Sequence, residues 1–171
     1  MVGKGALIND GLAWAILARK MLTVDTSQGF LIDGYPRTLE EAEIMDLMGF
    51  PYDLMISLRQ KEEVLEELVL KRRSCSQCGA SFNLAQIEVE GYKFPTKFPK
   101  KKGICDDCGG KLVTRNDDTK RVFKKRLFEF RVKTEPLEGF FEEKNKLFTY
   151  DILKGIDDFP DFLGKLKQKL N

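Results

Sequence analysis

The sequence predicts an α/β protein that has a parallel sheet with flanking helices and one small inserted module. Short apolar runs, which suit buried strands, alternate with amphipathic helical stretches over most of the chain. A segment rich in Gly, Pro, Lys and Cys, residues 74–114, interrupts this alternation, and we expect it to form the inserted module. With 171 residues, the chain is long enough for one substantial core and such a module.

Apolar spacing and cap residues define the elements expected before the inserted module. Asn9 or Asp10 can cap the first helix. Thr38 and Glu41 fit a capping box that opens the second helix. The expected order is helix 9–22, buried strand 30–32, helix 38–48, strand 52–58 and helix 60–73.

After the module, the sequence predicts a helix, a strand and a last amphipathic helix. The helix begins near Asp117 or Asp118, and Pro136 bends or ends it. The expected strand and final helix span residues 146–152 and 159–170.

Composition excludes several classes of function. The 29 basic and 27 acidic residues give a net charge of +2, so the chain lacks the basic excess that favours nucleic acid or an anionic membrane as partner. We expect no membrane span, because no apolar run approaches the roughly 20 residues that crossing a bilayer requires. The absence of a secretory signal predicts an intracellular protein. Histidine is absent, so any chemistry must rest on carboxylates, Lys, Arg and Cys.

The cysteines form the most specific pattern in the chain. Two CxxC pairs are separated by 26 residues and comprise Cys75, Cys78, Cys105 and Cys108. Such spacing predicts a tetrahedral zinc site, and four thiolates would close the coordination sphere, so the metal would be structural. Two disulfides or a redox CxxC are the alternatives, which an intracellular location disfavours. The basic, aromatic stretch 93–103 inside the module is expected to be a solvated loop rather than a nucleic-acid site.

Arginines lie after the first expected strand and at the borders of the module. They are Arg37, Arg72, Arg73, Arg115, Arg121 and Arg126. The guanidinium group binds phosphate through two parallel hydrogen bonds and stays charged, so a cluster of arginines predicts a polyphosphate ligand. Arg73 and Arg121 are expected to be solvated surface charges. Asp33, at the end of strand 30–32, could hold the water shell of Mg²⁺ beside such a ligand.

The sequence resembles the adenylate kinases. The stretch GFLIDGYPRT, residues 29–38, is similar to their monophosphate-site signature, and CSQCG through CDDCGGKLVTRNDDTKRVFKKRL is similar to a zinc-bearing LID with its return hinge. The wording is closest to the organelle-type forms of plants and protists. The resemblance implies a P-loop-kinase-like sheet. It divides the chain into a first core segment with a remnant of the monophosphate-binding region at 1–73, a zinc-binding LID at 74–114 and a second core segment at 115–171.

The resemblance also implies an activity and roles for individual residues. The reaction would transfer a phosphoryl group from Mg-ATP to AMP, and a monomer is expected. Arg37 would grip the AMP phosphate and Asp33 would order the magnesium shell. The transferring group would be surrounded by Arg72, Arg115 and Arg126. Asp117 and Asp118 would lock the closed LID, and Glu41 stands where the family has a glutamine that contacts the acceptor base.

Three departures from the family affect these expectations. The sequence contains no GxxxxGK[ST] phosphate loop, and VGKGA at residues 2–6 has Gly5 where that motif needs Ser or Thr. Leu68 replaces an arginine that covers the donor adenine, and Glu41 replaces the glutamine, so base preference is open. We therefore expect weak or no kinase activity from these 171 residues alone, and an exposed sheet edge could allow the expected monomer to associate.

Two other functions and several compartments stay open at this point. The chain could be a non-catalytic nucleotide-binding relative of the adenylate kinases, or a zinc-ribbon module that binds a protein or nucleic acid. The compartment could be the cytosol, the mitochondrion or a plastid.

Overall fold

A computed structural model describes residues 10–50, 52–95 and 97–170. The described helices are α1 Asp10–Met21, α2 Leu39–Leu47, α3 Glu62–Leu70, α4 Lys120–Glu129, α5 Pro136–Glu143 and α6 Phe159–Leu170. The described strands are β1 Met55–Arg59, β2 Arg72–Cys75, β3 Ser81–Asn83, β4 Leu112–Val113 and β5 Leu147–Asp151. Among these residues, no helix is both long and apolar enough to cross a membrane.

The chain divides into two compact units. The first unit comprises Met1–Leu54 and Arg126–Lys146, and the second comprises Met55–Lys125 and Leu147–Asn171. The expected three-segment division, with boundaries at 73/74 and 114/115, stays a prediction.

The parallel sheet predicted from the sequence lies in the second unit. Strands β1 and β5 pair in parallel, with Met55 beside Leu147 at one end and Arg59 beside Asp151 at the other. Helix α6 covers this sheet through Phe162, whose ring lies 5.2 Å from that of Tyr150, centroid to centroid. The predictions of strands 52–58 and 146–152 and of helix 159–170 are therefore confirmed.

The stretch predicted to form the inserted module, which we call the module, contains a small antiparallel sheet in the order β3-β2-β4. Its core consists of Cys75, Phe82, Cys105 and Leu112, all buried. The predicted helix 60–73 ends earlier than expected, because α3 stops at Leu70 and Arg72 pairs with Asn83 in the sheet. The Asn83 side-chain amide donates to the Leu68 carbonyl at 2.9 Å, so it satisfies one of the last acceptors of α3.

The predicted strand 30–32 is wrong. These residues are irregular in the structure, and the Leu31 side chain is 84% exposed. All five described strands belong to the second unit, so the backbone of 30–32 has no strand within its own unit to pair with in the described part of the chain. Phe30 instead packs edge to face on Phe50, with 5.8 Å between the ring centroids. The expected position of Asp33 at a strand end is corrected with it.

Helix α1 confirms the prediction of helix 9–22. Trp14, on this helix, packs edge to face against Phe50 at 6.0 Å between centroids. The proposed cap Asn9, the side chain of Asp10 and the stretch 2–6 lie outside the described residues.

The predicted helix 117–136 is divided. Thr119 caps α4, since its hydroxyl accepts from the Val122 amide at 3.3 Å, so neither proposed aspartate fills this position. Residues Phe130–Thr134 form a π-helical segment after α4. Pro136 then starts α5, where its missing N–H costs no helical hydrogen bond.

Candidate functional site

The four cysteines of the inserted module converge on one point. Their sulfur atoms all lie within 4.8 Å of one another, with Cys75 3.4 Å from Cys108 and Cys78 3.7 Å from Cys105. Sulfurs bound to one tetrahedral zinc, each about 2.3 Å from the metal, lie roughly 3.8 Å apart, whereas a disulfide needs about 2.05 Å. The cysteines are free thiols, so the geometry fits a metal-binding cluster and not two disulfides.

Each CxxC pair is folded by the same local turn. The amide of Gly79 donates to the Cys75 carbonyl at 3.1 Å, and that of Gly109 donates to the Cys105 carbonyl at 3.0 Å. Both glycines have a left-handed backbone, with φ of 75° and 74°. At Gly110 a Cβ would lie 2.9 Å from the Cys75 sulfur, so a side chain would displace that ligand. Each turn therefore orients its own pair of thiols locally, and the pairing of β2 with β4 brings the two pairs together.

Electrostatics of the cluster favours a cation among the sulfurs. The amides of Cys78 and Gln77 lower the pKa of Cys75 to about 6. The Gly110 amide lowers the pKa of Cys108, but the neighbouring Cys78 and Cys75 thiols raise it more, to about 12. The neighbouring thiols therefore disfavour the Cys108 thiolate, whereas a divalent cation would compensate this repulsion.

Two predicted site residues, Arg72 and Asp118, bind each other. Arg72 Nε donates to Asp118 Oδ2 at 3.0 Å, and Arg72 Nη2 donates to Asp118 Oδ1. The Asp118 carboxylate is fully buried, and the Arg72 side chain is 30% exposed. The bonds to Asp118 raise the pKa of Arg72. This fork ties the first residue of β2 to the segment that leaves the module.

Arg115 and Asp117 form a second, more exposed pair. Arg115 Nε donates to Asp117 Oδ1 at 3.1 Å, and Arg115 Nη2 donates to Asp117 Oδ2 at 3.2 Å. Half of the Arg115 side chain is exposed. The Asp117 carboxylate therefore fixes the orientation of this guanidinium group and offsets its charge at the surface of the second unit.

Arg37 lies in the first unit, in the segment 29–38 that we call the arginine loop. Its side-chain Nε donates to the Gly34 carbonyl at 2.6 Å, and its backbone amide donates to Glu41 Oε2, also at 2.6 Å. The Glu41 amide in turn donates to the Thr38 hydroxyl at 3.2 Å. The predicted capping box is therefore confirmed, except that Glu41 reaches the amide of Arg37 instead of that of Thr38. Glu41 is buried in this cap, which supports its structural interpretation over contact with a base.

The predicted site residues are distributed between the two units. Asp33, Arg37, Glu41 and Arg126 belong to the first unit, and Arg72, Arg115, Asp117, Asp118 and the four cysteines to the second. Asp33 is exposed in a bend before Gly34. The convergence of all these groups on one phosphate stays a prediction.

Sequence reasoning missed two features. The Thr134 hydroxyl donates to the Arg37 carbonyl at 2.8 Å, and no local pattern links residues 97 positions apart. The second feature is a small, mostly apolar cleft in the second unit, with a volume of about 150 Å³. It is lined by Leu58, Tyr150, Ile152, Gly155, Ile156, Asp158, Phe159 and Phe162. The signal for the cleft was the aromatic content of the last strand and helix.

The fold and the cysteine cluster define a class, an α/β protein with a parallel sheet and a small metal-binding insertion. A model of the adenylate kinase family matches residues 1–146. The chain belongs to the adenylate kinase family, which confirms the resemblance and the P-loop-kinase-like fold class inferred from the sequence.

Individual relatives agree with this assignment. A probable chloroplastic adenylate kinase 1 of Oryza sativa is 36% identical over 180 residues, which cover 100% of this chain and 58% of the relative. Chloroplastic adenylate kinase 1 of Arabidopsis thaliana is 36% identical over 178 residues, covering 98% of this chain and 60% of the relative. An adenylate kinase of Fervidobacterium nodosum is 35% identical over 167 residues, covering 95% and 72%. The chain thus spans about three fifths of the plant relatives.

Proposed function

We propose that this protein acts in a nucleoside monophosphate kinase reaction, in which a phosphoryl group passes from Mg-ATP to AMP. The observation that carries the proposal is the arginine loop, in which bonds to Gly34 and Glu41 fix both the side chain and the amide of Arg37. A guanidinium group fixed before ligand binding loses less entropy when it takes a phosphate. Membership of the adenylate kinase family supports assigning that phosphate to AMP.

The chemistry requires positive charge and positioning more than covalent help. A phosphate oxygen of AMP attacks the γ-phosphorus of ATP, the bond from that phosphorus to the bridging β-oxygen breaks, and two ADP molecules result. We assign Arg37 to the AMP phosphate, and Arg115 and Arg126 to the transferring group. Arg72 would contribute charge to the same group while Asp118 holds it. Magnesium, ordered through the exposed carboxylate of Asp33, would neutralise the phosphates of ATP.

We further propose that Cys75, Cys78, Cys105 and Cys108 hold a structural zinc ion. Their sulfur separations fit tetrahedral coordination, and four protein ligands leave no position for a reacting water. The metal would fix the inserted module, and Asp117 would help to hold that module closed over the nucleotides. Zinc content of the purified protein, measured by mass spectrometry, should be one per chain.

Calorimetry with AMP tests the proposal. Arg37→Ala should weaken AMP binding at least tenfold, because a charge-assisted hydrogen bond contributes roughly 1.5–3 kcal/mol. Arg121→Ala removes an exposed arginine of α4 and should leave the affinity unchanged. No AMP binding by the unmodified protein, or equal effects of the two variants, would contradict the assignment. A coupled assay for ADP formation then separates a kinase from a relative that only binds nucleotide.

Two further proposals concern the cellular compartment and the oligomeric state. The rice and Arabidopsis relatives are named as chloroplastic proteins. We propose an organelle or the cytosol for this protein, to be decided by imaging a tagged copy, and a monomer in solution, to be tested by light scattering.

A further inference from the structure

We infer that Thr134 is a positioning residue for Arg37, and through it for the acceptor phosphate. This inference rests on the proposed function of Arg37. The Thr134 hydroxyl donates to the backbone carbonyl of Arg37 at 2.8 Å. Because the amide of Arg37 is bound by Glu41 and its Nε by the Gly34 carbonyl, the added bond fixes the remaining polar group of its backbone.

The π-helical segment explains why Thr134 can reach another part of the chain. In a regular helix, a threonine hydroxyl commonly bonds back to a carbonyl three or four residues earlier. Here the Glu135 amide bonds to the Phe130 carbonyl at 2.9 Å, five residues back, which widens the turn. The hydroxyl of Thr134 points away from its own helix, to a residue 97 positions earlier. Single π turns of this kind often occur at functional sites.

Helix α5 fixes the position of Thr134, which lies just before it. The helix begins two residues after Thr134 and buries Leu137 and Phe141. It packs against α2, the helix that follows Arg37 directly. Lys144 of α5 binds Asp46 of α2 at 2.9 Å. Arg37 is therefore bound at its amide by Glu41 of α2 and at its carbonyl by Thr134 of the segment before α5, so both polar groups of its backbone are occupied.

A positioning role has a consequence that a purely structural role does not share. Without the hydroxyl, the Arg37 carbonyl would turn to solvent and the loop would sample more conformations, so the guanidinium group would meet phosphate in its bound geometry less often. The loss should therefore fall on AMP and not on ATP. It should be threefold to tenfold, since one neutral hydrogen bond contributes about that factor.

The test compares Thr134→Val, which keeps the branched shape, with Thr134→Ser, which keeps the hydroxyl. Thr134→Val should weaken AMP binding threefold to tenfold in calorimetry, while Thr134→Ser should stay within twofold of the unmodified protein. Thr23→Val removes the hydroxyl of another threonine of the same unit, one that bonds to Lys20 at 2.9 Å, and should not alter AMP binding. In the active enzyme, KM for AMP should rise with kcat and KM for ATP nearly unchanged.

The outcomes separate this inference from the function on which it rests. If Arg37→Ala abolishes AMP binding while Thr134→Val leaves it unchanged, the inference is overturned and the proposed function stands. A lowered Tm of Thr134→Val with unaltered AMP affinity would also overturn it, because the role would be structural only. If the unmodified protein fails to bind AMP, both are overturned.

Discussion

The inserted module and the arginine loop are stabilised by contacts of very different range. In the module, each CxxC pair closes its own turn, and buried Cys75, Phe82 and Cys105 pack into a local core. In the arginine loop, Leu31 is 84% exposed, and the backbone of Arg37 depends on Thr134, which is 97 positions away. A metal site built from local turns can be predicted from spacing, whereas a loop fixed by a distant helix cannot.

Replacing a cysteine should produce the largest effect and would test how far the module depends on its metal. Cys105→Ser should abolish zinc binding and destabilise the module by at least about 3 kcal/mol, because structural zinc supplies on the order of 10 kcal/mol to small metal-binding folds. Metal analysis and thermal unfolding measure this. Ser76→Ala, at an exposed position in the turn of the other CxxC pair, should cost less than about 1 kcal/mol. Full zinc content in Cys105→Ser would contradict the assignment of the ligand.

The Arg72–Asp118 fork tests whether the module also needs a long-range tie. Asp118→Ala should cost about 2 kcal/mol, less than the roughly 3–5 kcal/mol of a fully buried pair, because 30% of the Arg72 side chain is exposed. The exposed pair of Lys97 and Asp107 is the control, and Asp107→Ala should cost less than about 1 kcal/mol. Urea unfolding measures the loss in free energy of unfolding of both variants. Equal losses would argue against a structural role for the fork.

Two glycine substitutions test how the arginine loop holds its guanidinium group. Gly34 has φ of 74°, and a Cβ there would lie 2.7 Å from Arg37 Nη2. Gly29 has φ of 83° and open space around it. Both alanine variants should lose about 1 kcal/mol of stability through left-handed strain. Only Gly34→Ala should also weaken AMP binding, by about fivefold, because it displaces Arg37. Equal AMP affinities in calorimetry would show that this contact is not needed.

The smallest effect concerns the α2–α5 link that supports the loop. The Tyr52 hydroxyl first, and then Lys144, lower the pKa of Asp46 below its ordinary 3.8. Its contribution to stability is therefore fully present above pH 3.8 and is lost as the pH falls through the lower folded-state pKa. Asp46→Asn should flatten the acid limb of the stability profile. Tyr52→Phe should flatten it more than Lys144→Met, and the reverse order would contradict this assignment.

The sequence-based predictions succeeded where local patterns decide the structure and failed where distant contacts decide it. The strands around Ile56 and Phe148, the cap at Thr38 and the convergence of the cysteines are confirmed, because each follows from a short apolar run, a capping motif or the CxxC spacing. Strand 30–32 was wrong, because an apolar run forms a strand only where another strand offers its backbone. The helix predicted to bend or end at Pro136 is interrupted before that residue, and α5 starts at Pro136 because proline is tolerated at a helix start.

The sequence by itself determined the alternation of elements, the family and the two CxxC pairs, because those depend on periodicity and short spacings. Only the tertiary structure decided three hydrogen bonds. Asp118 accepts from Arg72, Glu41 accepts from the Arg37 amide, and Thr134 donates to the Arg37 carbonyl, 97 positions earlier in the chain. Hydrogen-bonding side chains need a partner within about 3 Å. Only the packed fold brings residues from distant stretches of the chain to that separation.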